Sequence, residues 1–198
     1  NKAQLIVRAP NTLTYKRIYE FLESKNEWIE KNVLLIREKN KAVIDRKFLE
    51  GEIFNYLDEK YKLFHSDKIG IDIKEKKFYV RKTSSESDLI YLYKCLAGEY
   101  LISRCKYFSE FFKEDIKDIK IKEQKRRWGS CTYDNKINFN YKIIMARPEI
   151  IDYLVVHEMS HMPHKNHSKE FWDKVCSILP DAKELRQELK SISYRLDI

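Results

Sequence analysis

The chain has 198 residues, which is long enough for one sizeable domain or for one domain with two lobes. Hydrophobic residues make up 43% of it, and only four glycines and four prolines occur, so a disordered or low-complexity protein is excluded. Its formal net charge of +8 has two interpretations, a basic surface for nucleotides or nucleic acid, or a lysine-rich composition with no bearing on function.

The first half of the chain predicts two long helices on either side of a β-meander. Residues 5–7 predict a short strand, and an apolar period of about 3.6 residues predicts a helix from residue 14 to about residue 40. Between residues 48 and 82 the apolar period changes to two, with turn signals between the runs, which indicates an antiparallel meander with one buried face. A second helical stripe covers residues 85–112.

The second half of the chain predicts two strands and three helices. Residues 118–125 and 137–141 alternate apolar with polar side chains, as strands do, and the block Arg-Trp-Gly-Ser-Cys at 127–131 lies between them. Pro148 fits the first position of a helix, and Pro163 ends that helix because proline cannot donate a helical hydrogen bond. Two shorter amphipathic helices follow.

The helix after Pro148 carries the motif His-Glu-x-x-His. His157 and His161 are four residues apart, so they lie on one face of the helix with their Cβ atoms about 5–6 Å apart. That spacing lets both imidazoles bind one Zn²⁺, and Glu158 is placed to act as the general base on a water molecule. A histidine pair packed in the core or on the surface is the alternative, but four of the five histidines fall within residues 157–167, which favours a metal.

A catalytic zinc usually keeps three protein ligands and one open position. His167 is the preferred third ligand, because it lies six residues after His161 and beyond the helix end at Pro163, so the chain can fold back toward the metal. His164 and Glu170 remain the alternatives for this position.

Five blocks of sequence carry a resemblance to a known family. They are Arg-Trp-Gly-Ser-Cys at 127–131, Tyr-Leu-Val-Val-His-Glu-Met-Ser-His at 153–161, Asn-His-Ser-Lys-Glu-Phe-Trp at 166–172, Val-Arg-Ala-Pro at 7–10 and Lys-Asn-Glu-Trp-Ile at 25–29. In these blocks, which span nearly the whole chain, the sequence resembles the YgjP-like metal-dependent hydrolases, zincin-type proteins that are similar to SprT-like peptidases. The resemblance implies hydrolase chemistry with metal ligands at His157, His161 and His167 and a general base at Glu158.

The patterns and the resemblance together predict an α+β fold of the zincin-like type, built on an antiparallel sheet. We expect an N-terminal helix and meander lobe over residues 1–115. A C-terminal helical lobe over residues 116–198 would bind the metal and carry the catalytic residues. The two lobes could equally form one continuous domain.

We therefore predict a Zn²⁺-dependent hydrolase, in the first place a metallopeptidase with a peptide or protein substrate. Arg127, Tyr141 and Glu170 are candidates for contacting the substrate or for holding a ligand histidine in place. One alternative is a nucleotide phosphoanhydride hydrolase (a pyrophosphatase) that uses the same metal site, which Arg126, Arg127 and the positive charge favour. Another is a zinc-stabilised binding module that associates with nucleic acid.

The cysteines and the apolar runs bear on the location of the protein. The four cysteines are widely spaced and form no Cys-x-x-Cys, which predicts free thiols in a reducing compartment and hence a cytoplasmic protein. There is no signal peptide and no apolar run of about 18 residues, so no membrane partner is expected. The chain starts abruptly at Asn1, so an N-terminal strand could be missing, and no pattern predicts an oligomeric state.

Overall fold

The structure, a computed structural model, describes residues 5–41 (without side chains after residue 34), 46–124 and 126–192. It divides the chain into two compact units, residues 1–45 and 46–198. The predicted boundary between residues 115 and 116 falls inside the second unit and stays a prediction. Within the described residues, no helix has the length and apolarity needed to cross a bilayer.

The first unit is helical. The predicted helix over residues 14–40 is two helices, α1 (Tyr15–Ser24) and α2 (Asn26–Lys41), which meet at Lys25. The hydroxyl of Ser24 donates a hydrogen bond to the Phe21 carbonyl at 2.7 Å, in competition with the helical backbone ladder. Residues 5–7 form no strand in the described structure, and they instead line a cavity of about 450 Å³ together with Phe21 and Trp28.

The second unit contains a four-stranded sheet and a three-stranded sheet in its described part. The strands of the first are β1 (Ile53–Tyr56), β2 (Glu59–His65), β3 (Gly70–Asp72) and β4 (Lys77–Val80), in the order β1-β2-β4-β3. Those of the second are β5 (Asp118–Lys122), β6 (Gly129–Cys131) and β7 (Lys136–Asn140), in the order β5-β7-β6.

Neither sheet is antiparallel throughout, so that part of the predicted fold is wrong. β2 pairs with β4 in parallel, and so does β5 with β7, whereas the other pairs are antiparallel. In the first sheet the three residues of β3 are only half-buried, whereas Phe78 and Val80 of β4 are buried. Pairing β4 directly with β2 places these side chains beside the buried Tyr61 and Leu63, and β3 is left at the edge.

The α+β class itself is confirmed, since four helices accompany these sheets within the described part of the second unit. They are α3 (Ser85–Phe108), α4 (Pro148–Ser160), α5 (Lys169–Ile178) and α6 (Ala182–Ile192), with short 3₁₀ helices at Lys82–Ser84, Ser109–Phe111 and Tyr141–Met145.

Helix α4 lies at the centre of the second unit and is buried along most of its length. Two bidentate ion pairs attach it to its neighbours. Arg104 of α3 donates to both carboxylate oxygens of Asp152 at 2.6 and 2.8 Å, and Arg147 donates to those of Glu188 on α6 at 2.8 and 2.5 Å. Because planar arginine forks match a carboxylate, these pairs fix the position of α4 as well as its orientation.

Candidate metal centre

The end of α4 brings the His-Glu-x-x-His motif next to a turn. Pro148 occupies the start of the helix, as predicted, and the regular helix ends at Ser160, two residues before the predicted end. The N–H groups of His161 and His164 donate to the carbonyls of Glu158 and Ser160 at 3.2 Å each, which closes the last turn. The chain then reverses and returns to the helix at residue 167.

Three histidines converge at this turn. The ligating nitrogens of His157, His161 and His167 all lie within 4.8 Å of one another. The two Nε2 atoms of His157 and His167 are 3.2 Å apart. Two nitrogens that bind one tetrahedral zinc at the usual length are about 3.3 Å apart. The donor set therefore fits a zinc ion, and neither His164 nor Glu170 belongs to it.

The other ring nitrogens of two of these histidines face polar groups of the protein. Nδ1 of His161 lies 3.1 Å from the His164 carbonyl, so the tautomer that donates there keeps Nε2 free for a metal. Nδ1 of His157 lies 3.4 Å from the hydroxyl of Tyr153, one turn earlier on α4. Such contacts orient a ligating imidazole and fix its tautomer. Tyr153 was not among the predicted site residues, although its position four residues before His157, on the same face of the helix, was a usable signal.

Aromatic side chains from α5 support the three imidazoles. Phe171 is fully buried, and its ring centre lies 5.0, 4.5 and 4.9 Å from those of His157, His161 and His167. Trp172 stacks on His167, with ring centres 5.9 Å apart. Phe171 and Trp172, in the first turn of α5, therefore hold His167 against α4.

Burial controls the charge of these groups. Desolvation, followed by the neighbouring imidazoles His161 and His167, lowers the pKa of His157 to about 3. Burial also lowers the pKa of His161, opposed by its hydrogen bond to the His164 carbonyl. These two imidazoles are therefore neutral at pH 7, which is the form that binds a metal.

Glu158 is the buried carboxylate of the site, with only 5% of its surface exposed. Desolvation raises its pKa to about 8, against the opposing charge of Arg127. Strand β6 passes directly over it. A Cβ atom added at Gly129 would lie only 2.6 Å from Oε1 of Glu158. The Arg-Trp-Gly-Ser-Cys block thus lies against α4, the helix that carries the His-Glu-x-x-His motif.

The remaining predicted site residues lie in different surroundings. Arg127 is exposed, and its charge acts on Glu158. Tyr141 is 1% exposed in the 3₁₀ helix after β7, where its ring packs beneath the ammonium group of Lys94 at 5.5 Å. Glu170 is exposed in the first turn of α5, and a hydrogen bond from the Ser168 side chain lowers its pKa.

Comparisons with known proteins agree with a metal-dependent hydrolase. The family model described as YgjP-like, metallopeptidase domain, matches residues 1–192. No curated protein shows significant similarity to the chain.

Two solved structures of archaeal metallopeptidase zymogens match about half of this chain. Abylysin from Pyrococcus abyssi is 17% identical, with 47% of this chain and 95% of that one covered and a TM-score of 0.43. Jannalysin from Methanocaldococcus jannaschii is 22% identical, with 49% and 92% covered and a TM-score of 0.35. Similarity at this level supports no structural inference, whereas the family model covers almost the whole chain. The chain therefore belongs to the YgjP-like family of metallopeptidase domains.

Proposed function

We propose that this protein is a zinc-dependent peptidase in which His157, His161 and His167 hold Zn²⁺ and Glu158 is the general base. One observation carries the proposal. Three imidazole nitrogens, two from the end of α4 and one from the segment before α5, lie within 4.8 Å of one another, and the adjacent Glu158 is only 5% exposed. Membership of a metallopeptidase family supports it. A donor set made only of imidazole nitrogens suits zinc and disfavours the oxygen-seeking ions Mg²⁺ and Ca²⁺.

In the proposed reaction, the metal and Glu158 each supply one part of the chemistry. When bound, Zn²⁺ supplies a Lewis acid that lowers the pKa of water toward about 7 and polarises a carbonyl group. Burial alone raises the pKa of Glu158 to about 8, but a cation held by the three histidines would lower it and favour the ionised carboxylate. In that form Glu158 takes one proton from the attacking water as the new C–O bond forms. It then delivers that proton to the nitrogen of the leaving group as the C–N bond breaks, so the products are a carboxylate and an amine. Burial keeps this carboxylate away from competing bulk water.

The substrate would lie along strand β6. This strand is an edge of the described sheet and contacts only β7 within it. The Trp128 carbonyl and the Thr132 N–H form hydrogen bonds to β7 at 2.7 and 2.8 Å. Because alternate residues of an antiparallel strand face the partner, the backbone groups of Gly129 and Cys131 face the open side. An extended peptide can add there as a further strand, beside Glu158.

A second function has one specific observation in its favour. Arg126 and Arg127 are exposed at the start of β6, and the charge of Arg127 reaches Glu158. Guanidinium groups bind phosphates as well as carboxylates, so a nucleotide phosphoanhydride would be a chemically reasonable substrate for the same site.

The test compares wild-type protein and Glu158→Gln, both loaded with zinc, on two substrate classes. One assay follows cleavage of unfolded proteins and quenched-fluorescence peptides, and the other follows pyrophosphate release from nucleoside triphosphates. We expect peptide cleavage by the wild type. We expect Glu158→Gln to keep one zinc per chain and to lose about 10²-fold or more in rate, because a positioned general base contributes that much.

Three other outcomes would each argue for a different function or mechanism. Full activity in Glu158→Gln would remove the general-base role. Pyrophosphate release without peptide cleavage would favour the phosphoanhydride hydrolase. Inertness toward both substrates with tightly held zinc would indicate a binding module.

A further inference from the structure

Strand β6 contains a glycine that its backbone does not require. The φ angle of Gly129 lies outside the left-handed region, so the backbone at this position would accept any residue. Glycine weakens a strand, because it loses more conformational freedom on folding than other residues do. The presence of glycine therefore has to be explained by what surrounds it.

The surroundings are the side chain of Glu158. A Cβ atom built at Gly129 would lie 2.6 Å from Oε1, 2.7 Å from Cγ and 2.8 Å from Cδ of Glu158. Real Cβ atoms do not approach other heavy atoms this closely, so one of the two elements would have to move. The contact involves three consecutive atoms of the carboxylate side chain, and a rotation of the carboxylate alone would not relieve it.

Two other glycines of the second unit make a useful comparison. Gly70 lies in the short edge strand β3, and a Cβ there would meet nothing within 4 Å. Gly98 lies in α3, and a Cβ there would meet Ile121 at 3.8 Å, an ordinary van der Waals distance. The steric conflict at Gly129 is therefore specific to one slot, the narrow gap between β6 and α4 that the Glu158 side chain fills.

We propose that Gly129 is a positioning residue that holds open the slot in which the Glu158 side chain lies beside the histidine group. The inference rests on the proposed function and deepens it. Any larger residue either turns Glu158 away from the group or pushes β6 off α4. In both cases the imidazoles, which α4 and α5 hold from the other side, keep their arrangement.

The experiment is a double-mutant cycle on the zinc-loaded full chain, with Gly129→Ala, Glu158→Ala and the double variant. Gly70→Ala is the matched control, because it makes the same change in another three-residue edge strand. Three quantities are measured for each protein: zinc per chain, the midpoint of thermal unfolding, and kcat for peptide cleavage.

We expect Gly129→Ala to retain one zinc per chain, to lower kcat by about 10²-fold or more, and to lower the unfolding midpoint. Added to Glu158→Ala, the same substitution should lower neither the rate nor the midpoint further, since the clashing side chain is gone. Gly70→Ala should leave the rate unchanged.

Several results would overturn the inference. One is an unchanged kcat in Gly129→Ala. Another is that Gly129→Ala lowers the unfolding midpoint by the same amount in the wild-type protein and in the Glu158→Ala variant. If the single variant Gly129→Ala does not fold, we expect the double variant with Glu158→Ala to fold, because the clashing side chain is absent. A double variant that also fails to fold would contradict the inference. A wild type that cleaves no peptide contradicts the proposed function, and the comparison of unfolding midpoints then decides the role of Gly129 by itself.

Discussion

At the scale of single residues, the site combines three imidazoles with side chains that fix their rings. The spacing of His157 and His161 and the break at Pro163 were enough to predict that His167 would return to the group. The partners of the rings could not be predicted in the same way. A hydrogen bond such as that between Tyr153 and His157 depends on rotamers and packing, which sequence periodicity does not encode.

Tyr153→Phe tests the orienting role of this hydroxyl. The substitution keeps the buried ring and removes the group that lies 3.4 Å from Nδ1 of His157. We expect the Kd for zinc to rise by about 10-fold, because removing the partner of a ligating histidine typically weakens metal binding by about 10–100-fold. Competition with a chromophoric chelator measures this, with Tyr91→Phe on the exposed side of α3 as the control. Equal zinc affinities in the two variants would contradict the role.

At the scale of elements, burial periodicity predicted most of the helices and strands but not which strands would be neighbours. The alternation in β2 and β4 is the same whether they pair in parallel or antiparallel, so the sequence pattern could not exclude the parallel pairing that occurs. The two-helix first unit shows a similar limit. A single apolar stripe over residues 14–40 does not reveal the interruption at Lys25.

The junction between β4 and α3 allows a test of electrostatic stability. Asp88 is 3% exposed in the first turn of α3 and accepts hydrogen bonds from the backbone N–H of Arg81, from its guanidinium and from the hydroxyl of Ser84. Hydrogen bonds from the Arg81 guanidinium, more than any other cause, hold the pKa of Asp88 well below its usual range. A carboxyl whose pKa is lower in the folded than in the unfolded chain stabilises the fold above its unfolded pKa of about 3.9.

That contribution is lost as the pH falls from about 4 toward the lower folded pKa. Asp88→Asn should therefore lower the free energy of unfolding at pH 7 by about 1–3 kcal/mol, the usual effect of losing buried hydrogen bonds to a charged group. It should also flatten the dependence of stability on pH below pH 4. Urea unfolding at pH 7 and pH 3 measures both effects. An equal loss of stability at the two pH values would contradict the electrostatic explanation.

At the scale of the whole molecule, family membership extends over both compact units, whereas the candidate site is built entirely from the second. Within that unit the site joins α4 to the segment that precedes α5. A metal bound there would add its binding free energy to the stability of the folded chain, about 4 kcal/mol when free zinc is 1,000 times its Kd. The sequence predicted His167 as the third ligand, whereas the expected dependence of stability on the metal follows from the connection that the site makes between α4 and this segment.

The identity of that third ligand is the most direct test of the whole account. The measurement is zinc stoichiometry and Kd by equilibrium competition for the wild type, His167→Ala and His164→Ala. We predict one zinc per chain in the wild type and in His164→Ala, and a Kd at least about 100-fold higher in His167→Ala, because only two imidazoles would remain. Unchanged zinc affinity in His167→Ala, or an equal loss in His164→Ala, would contradict a metal centre formed by His157, His161 and His167.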